Sequence, residues 1–428
     1  MADFDAIVVG SGCAGSVAAY ELAKAGRSVL VIERGSRAGS KNMTGGRLYL
    51  HSLREVFPHA ATEAPLERRI AHERISMLTD DAAFTVDFSS RALLEPGQES
   101  YSVLRGNFDA WLAEQAEQAG AEYIYGIAVE ALVKQEGKVS GVRAGEDEIS
   151  ADVVILADGV NSLLTEEAVG YARPPASQMA VGIKQVIELS ESQVAERLLC
   201  SEGEGAAWLF AGEATRGCPG GGFIYSNRQS VSLGLVVTIS VLEKADESIC
   251  RMLEDFKAHP AVAPLIQGGK VVEHSVHMVP EGGLHMMPAL VGDGVLLAGE
   301  SAMMCVNLGY MVRGMDYAIA AGMHAGRSAA AALEEGDTSK AGLDRYRRAL
   351  ENSFVLKDLE TFQRFPAFME SNLRIYHEYP VLVRDMMQTL FVVNGQPMPR
   401  LKKVMLPLLR KFGLRTLLRD LRKGMKAL

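Results

Sequence analysis

Residues 5–35 read DAIVVGSGCAGSVAAYELAKAGRSVLVIERG, and this stretch decides the fold. AIVV is a short apolar run, as in a strand buried on both faces. It ends at Gly10-Ser-Gly12-Cys-Ala-Gly15. From Cys13 to Ala25 the chain is Ala-rich, with apolar positions at helical spacing. SVLVIE (28–33) is a second buried strand. Strand, turn, helix and strand make one βαβ unit, and in that setting Gly-x-Gly-x-x-Gly is a dinucleotide fingerprint. Gly10 permits the tight turn. Gly12 lets the backbone approach a pyrophosphate at the helix N-terminus, where Cys13 and Ala14 begin the helix. Gly15 allows close helix–strand contact. Glu33, 18 residues beyond Gly15, is placed to accept hydrogen bonds from an adenosine ribose. The fingerprint alone does not separate FAD from NAD.

The chain of 428 residues is long enough for two or three domains. Hydrophobic residues make up 48% and charged residues 23%, ordinary for a soluble globular protein. A formal net charge of −9 argues against a nucleic-acid binder. The five cysteines (13, 200, 218, 250, 305) form no CxxC pair, so a disulfide framework, a zinc site and an intrinsic iron–sulfur cluster are unsupported. His274, His277 and His285 are close in sequence, but 274 and 277 fall on opposite faces of a strand, and no metal is expected there. The N-terminus has no secretory pattern, and no window approaches eighteen apolar residues. These features suggest a cytoplasmic protein. Charge is uneven: residues 400–428 hold ten Lys or Arg and one Asp.

Further along, NFDAWLAEQAEQA (107–119) is read as a helix capped by Asn107. VVILADG (153–159) is a buried strand ending at Asp158-Gly159, and VLLAGE (295–300) is another ending at Gly299-Glu300. Acids at strand ends of a parallel sheet suit ribose or ribityl hydroxyls, although each pair also reads as a plain turn. Between 173 and 290 the texture changes to alternating strands with longer connections. A long helix is expected near 313–334. These patterns read as α/β, a Rossmann-type domain with a mostly antiparallel substrate domain and a helical C-terminal region; the family resemblance given below implies that the first domain is of the glutathione-reductase/hydroxybenzoate-hydroxylase kind. The boundaries are 1–72, 101–172 and 291–333 for the first domain, 73–100 and 173–290 for the second, and 334–428 for the helical region.

Several stretches give a narrower resemblance: DAIVVGSGCAGSVAA, KNMTGGRLY (41–49), SVLRGNFDAWLAEQAEQAGA, VILADGVNS, GGGFIYSN and NLGYMVRGMD (307–316). On these the chain resembles the FAD-dependent FixC proteins, which group with electron-transfer-flavoprotein:quinone oxidoreductases and geranylgeranyl reductases. The resemblance implies FAD as cofactor. It implies that Gly10, Gly12 and Gly15 serve the pyrophosphate and Glu33 the ribose. It also brings Arg34, Lys41, Gly45, Gly46, Arg47, Arg105, Asp158, Gly159, Gly299, Glu300 and Gly309 to the cofactor. The basic members also read as solvated surface charges. Glu300 stands where the family usually has Asp, and Met303 where it has Gly. Methionine there is expected to exclude positive φ and to alter the grip on FAD.

The resemblance implies an electron relay. Electrons would arrive from a two-subunit electron-transfer flavoprotein and leave, through a separate ferredoxin-like iron–sulfur protein, toward a quinone. No cysteine follows Cys305 in this sequence, so the cluster would be the partner's. The basic tail would dock on an anionic membrane surface or an acidic partner, or is a packed helix with solvated charges, and Pro407 and Gly413 would break it in two. Two other readings stand beside the relay. One is a self-sufficient FAD reductase or monooxygenase acting on a small or isoprenoid substrate. The other is a scaffold that has lost flavin.

Overall fold

The computed structural model describes residues 2–41, 46–243, 248–397 and 400–428. The opening unit forms as its pattern predicts: strand Phe4–Val9, helix Cys13–Lys24, strand Val29–Glu33. Both strands are parallel, with Val8 facing Val31 on one side and Ile155 on the other. The sheet continues outward from these through Asp147–Leu156 to Val295–Leu297, and through Val29–Glu33 to Glu122–Tyr125. Its central residues Ile7, Val8, Val31 and Ile155 are buried, which is why the strands read as continuous apolar runs.

The helix Met315–Glu335 lies across Cys13–Lys24. The approach is close enough that a Cβ on Gly322 would sit 2.2 Å from the Ala14 carbonyl oxygen. Only glycine admits that contact, and it fixes the helix end that carries the fingerprint.

The second sheet runs Lys270–Pro280, Met179–Glu188, Ser230–Thr238, Gly220–Ser226, Glu204–Gly212, Arg69–Leu78, Ser100–Ser102, Arg47–Tyr49, with Ala83–Ser89 added on Arg69–Leu78. It is antiparallel except where Glu204–Gly212 meets Arg69–Leu78. The sheet includes residues before 73, the bound expected for the second domain. Arg47–Tyr49 and the first residues of Arg69–Leu78 belong to it, and a three-residue strand is too short to leave a period-two pattern. One face is covered by helix Ile249–Ala258, through Met252, Leu253 and Phe256. The other face carries aligned rows. One is Met77, Ala211, Gly221 to Val236, Gly182 and His277; the next is Ile75, Leu209, Phe223 to Gly234, Lys184 and Ser275.

Arg68 holds this sheet's corner. It is 1% exposed, and its guanidinium donates to the carbonyls of Asn227, Glu204, Glu191 and Arg228 at 2.8–3.1 Å. Four charge-assisted bonds offset the cost of burying it.

Two helix readings are corrected. The helix of 107–119 starts at Arg105 with Leu104 as its cap, so Asn107 lies inside the first turn. In the tail Pro407 stays within Leu401–Lys411, and the break falls at Gly413 alone, whose φ is +82°.

Candidate functional site

A cleft of about 590 Å³ runs between the two sheets and on beneath the C-terminal helices. Its walls include Gly10, Gly12, Cys13, Ala14, Glu33, Arg34, Lys41, Gly46, Arg47, Arg105, Asp158, Gly159, Gly299, Glu300 and Gly309. Gly15 is not on the wall; it lies against the Gly10 carbonyl, where a Cβ would come to 1.9 Å. Gly45 lies outside the described residues.

At one end the Glu33 carboxylate accepts the N–H of Ser11 at 2.8 Å and of Gly35 at 2.6 Å. Those bonds lock its direction and leave other lone pairs for hydroxyl donors. Beside it the helix Cys13–Lys24 begins with no side-chain cap, so its first N–H groups have no side-chain partner and meet the cleft. Asp158 and Ser301 stitch two strand ends together: the Ser301 hydroxyl donates to Asp158 at 2.9 Å and accepts the Gly159 N–H at 2.9 Å. Burial pushes the Asp158 carboxyl above the usual carboxylate range. Arg105 forms a two-pronged pair with Asp109 at 2.8 Å. Arg47 pairs with Glu73 at 2.8 Å and lies over the Tyr49 ring. Neither arginine is a solvated surface charge, whereas Arg34 and Lys41 are exposed.

The donor set fits FAD: an acid for ribose hydroxyls, an uncapped helix terminus for the pyrophosphate, and Glu300 further along for the polyol chain. Glu300 has a neighbour that sequence reading did not supply. His277 Nε2 sits 3.5 Å from its carboxylate. His277, Val279 and Glu281 alternate along one strand run, all toward the cleft. That period-two signal was present in HSVHMVPE, but nothing in it marked which face was inside.

Met303 overturns an expectation. Its φ is +59°, so methionine occupies the left-handed conformation that glycine would favour. The side chain turns away from the cleft into a small core of Val160, Met179 and Met286. The strained backbone costs about 1–2 kcal/mol, and the buried side chain offsets it. Met303→Gly should therefore leave FAD affinity within about threefold of wild type. It should lower stability by roughly 1–3 kcal/mol through the cavity left behind. Titration with FAD and thermal melts of the apoprotein check both.

Beyond Glu300 the cleft opens into a chamber lined by Val279, Leu308, Phe365, Phe368, Ile375 and Tyr376, with Glu281 facing in. The C-terminal helices Phe365–Ser371 and Arg374–Phe391 form one wall, which sequence reading had not brought to the site.

A two-sheet fold with this cleft is that of an FAD-dependent oxidoreductase. Residues 5–110 match the FAD dependent oxidoreductase family, and residues 365–428 match the ETF-QO/FixC family C-terminal domain. The chain is 50% identical to the probable electron transfer flavoprotein-quinone oxidoreductase YdiS of Escherichia coli over 99% of both chains. It is equally close to Protein FixC of Salmonella typhi, at 50% identity over 99% of both. Among solved structures, a geranylgeranyl bacteriochlorophyll reductase-like protein of Thermoplasma acidophilum superposes with a TM-score of 0.70 at 19% identity, covering 98% of this chain and 99% of that one. The chain belongs to the ETF-QO/FixC family and is an FAD-dependent electron-transfer oxidoreductase.

Proposed function

We propose that this protein takes electrons from a two-subunit electron-transfer flavoprotein and delivers them toward a quinone seated in its own chamber. With the quinone against the cofactor itself, the separate ferredoxin-like iron–sulfur protein stands between the donor flavoprotein and this chain, and not after it as the resemblance implies. The observation that carries this reading is the continuity of the cleft: the polar half suited to FAD opens directly into the apolar, aromatic-walled chamber. FAD exchanges electrons singly or in pairs and so joins one-electron to two-electron carriers.

In this reading Gly10, Gly12, Cys13, Ala14 and Gly15 present backbone to the pyrophosphate. Glu33 takes the adenosine ribose, and Glu300, oriented by His277, takes the ribityl chain. Asp158, Gly159 and Gly299 shape the strand ends against the cofactor, and Arg105 is fixed by Asp109 at the cleft wall. Arg34, Lys41, Arg47, Gly46 and Gly309 complete the surround. The basic tail places the protein on the face of an anionic membrane. Among the described residues no helix is long and apolar enough to cross one, so the contact is peripheral.

The test is rapid mixing of the oxidised protein with a reduced two-subunit electron-transfer flavoprotein. Bleaching of its flavin absorbance is the expected outcome. A bound flavin that this donor leaves oxidised, with or without an iron–sulfur partner, removes the relay reading. Steady turnover of an isoprenoid alkene by the isolated protein with a chemical reductant would instead favour the self-sufficient reductase.

A further inference from the structure

Glu281 is an acid that neither the fold nor the cofactor accounts for. It follows strand Lys270–Pro280 and continues its ladder, its N–H bonding the Gln178 carbonyl at 2.9 Å. By alternation it projects on the same face as His277 and Val279, into the chamber. Asn307 Nδ2, from the base of the hairpin whose tip is Gly309, donates to its Oε1 at 3.3 Å. No basic group is paired with it among the described contacts. Surrounding protein pushes its carboxyl above the ordinary range, against the pull of the Asn307 and Thr238 side chains. The titratable groups around it are Tyr376 from the C-terminal wall, Cys305 and Glu300 from the turn after Val295–Leu297, and His277 and His285 from its own segment. Burial raises both Tyr376 and Cys305. They therefore stay protonated through neutral pH, and neither neutralises the acid.

A carboxylic acid whose surroundings favour its protonated form is, in that form, a hydrogen-bond donor and a proton source. The lining beside it is largely apolar (Val279, Leu308, Phe365, Phe368, Ile375), and its polar groups include Glu281, Asn307, His285, the Tyr376 hydroxyl and, from the C-terminal wall, Gln363 and Glu370. That suits a flat ring bearing a carbonyl oxygen better than a hydrocarbon alone.

We propose that Glu281 donates a proton to a carbonyl oxygen of the quinone lodged in this chamber. The step rests on the quinone reading above. It balances as quinone plus two electrons plus two protons giving quinol, with both C=O groups becoming C–OH. The electrons come from the reduced cofactor. One proton comes from Glu281, and the second comes from water through the mouth beside exposed His285. The Glu281 carboxylate regains its proton by the same opening.

The experiment compares two oxidants of the pre-reduced protein: a one-isoprene ubiquinone, which needs protons, and ferricenium, which does not. In wild type the quinone rate falls as pH rises through the raised Glu281 value, because the acid form is the reactive one. In Glu281→Gln the ratio of quinone to ferricenium rates drops about 10²-fold and loses that pH dependence. Glu281→Asp, which keeps an acid, retains the pH dependence at a reduced ratio. An unchanged ratio and profile in Glu281→Gln overturns the role of Glu281 and leaves the quinone reading standing. A wild-type protein that ferricenium oxidises and quinone does not overturns the quinone reading, and this step with it.

Discussion

Gly12→Val is expected to yield a folded, colourless protein. Gly12 caps the first helix at φ −86° and ψ −171°, an extended conformation open to any residue. The backbone therefore tolerates valine. The cofactor does not, because an isopropyl group at this turn holds the pyrophosphate off the free N–H groups of Cys13 and Ala14. Hydrogen bonds to a charged partner contribute about 1.5–3 kcal/mol each. Losing two weakens FAD binding by roughly 3–6 kcal/mol, or about 10²–10⁴-fold. Gly10 makes the contrast. Its φ is +98°, and a Cβ there would lie 2.4 Å from the Ala157 carbonyl oxygen, so a side chain breaks the fold itself. The measurements are flavin content by absorbance and the thermal melt of the FAD-free protein. Gly12→Val purified with a full complement of FAD would sink the assignment of the fingerprint.

The first sheet was legible because its determinants are local. Four apolar residues in a row, three glycines and an acid all fall within thirty positions, and each has one physical reason for its place. The cleft half built from them was legible for the same reason. The chamber was not. The second sheet's wall of the cleft, which leads to it, joins Met77, Ala211, Gly221, Val236, Gly182 and His277, which share a row only through strand register, and register across distant segments leaves no mark in any one of them. Arg68 shows the same limit. It sits in LERRI, where adjacent charges suggest surface, yet it is buried on four carbonyls. Met303 failed differently. The turn was located correctly, but propensity was taken as a prohibition, whereas a buried side chain can hold a residue at a strained φ. Asn107 and Pro407 were read as boundary signals by residue type, and in each case neighbouring contacts carried the helix past them.

The tail offers the second large effect. In helix Leu414–Ala427 the residues Leu414, Leu418, Leu421 and Met425 recur at helical spacing and are 39–63% exposed, while Asp420 and Ala427 turn inward. Asp420 is held by the Tyr379 hydroxyl at 2.6 Å, and Gly424 lies 3.2 Å by its missing Cβ from Phe368, itself a chamber wall. So the helix is anchored by one face and presents an apolar stripe on the other, flanked by Arg415, Arg419, Arg422 and Lys426. Solvated charges alone would not explain four exposed apolar side chains in register. An anionic bilayer would cover the stripe and meet the cations, and it would bring the chamber beside the phase in which a quinone dissolves. Each partly exposed leucine contributes about 1 kcal/mol on burial, and each basic residue about 1 kcal/mol near an anionic surface. Replacing Leu418 and Leu421 together by Asp removes two of the former and opposes two of the latter. Binding to vesicles containing phosphatidylserine should then fall about 10³-fold in a sedimentation assay, with flavin content preserved. Wild type should release as salt rises, since the screening length shortens to about 10 Å at 0.1 M. Equal sedimentation of wild type and the double variant would leave the stripe as a surface for a protein partner, and the quinone would then have to reach the chamber by another face.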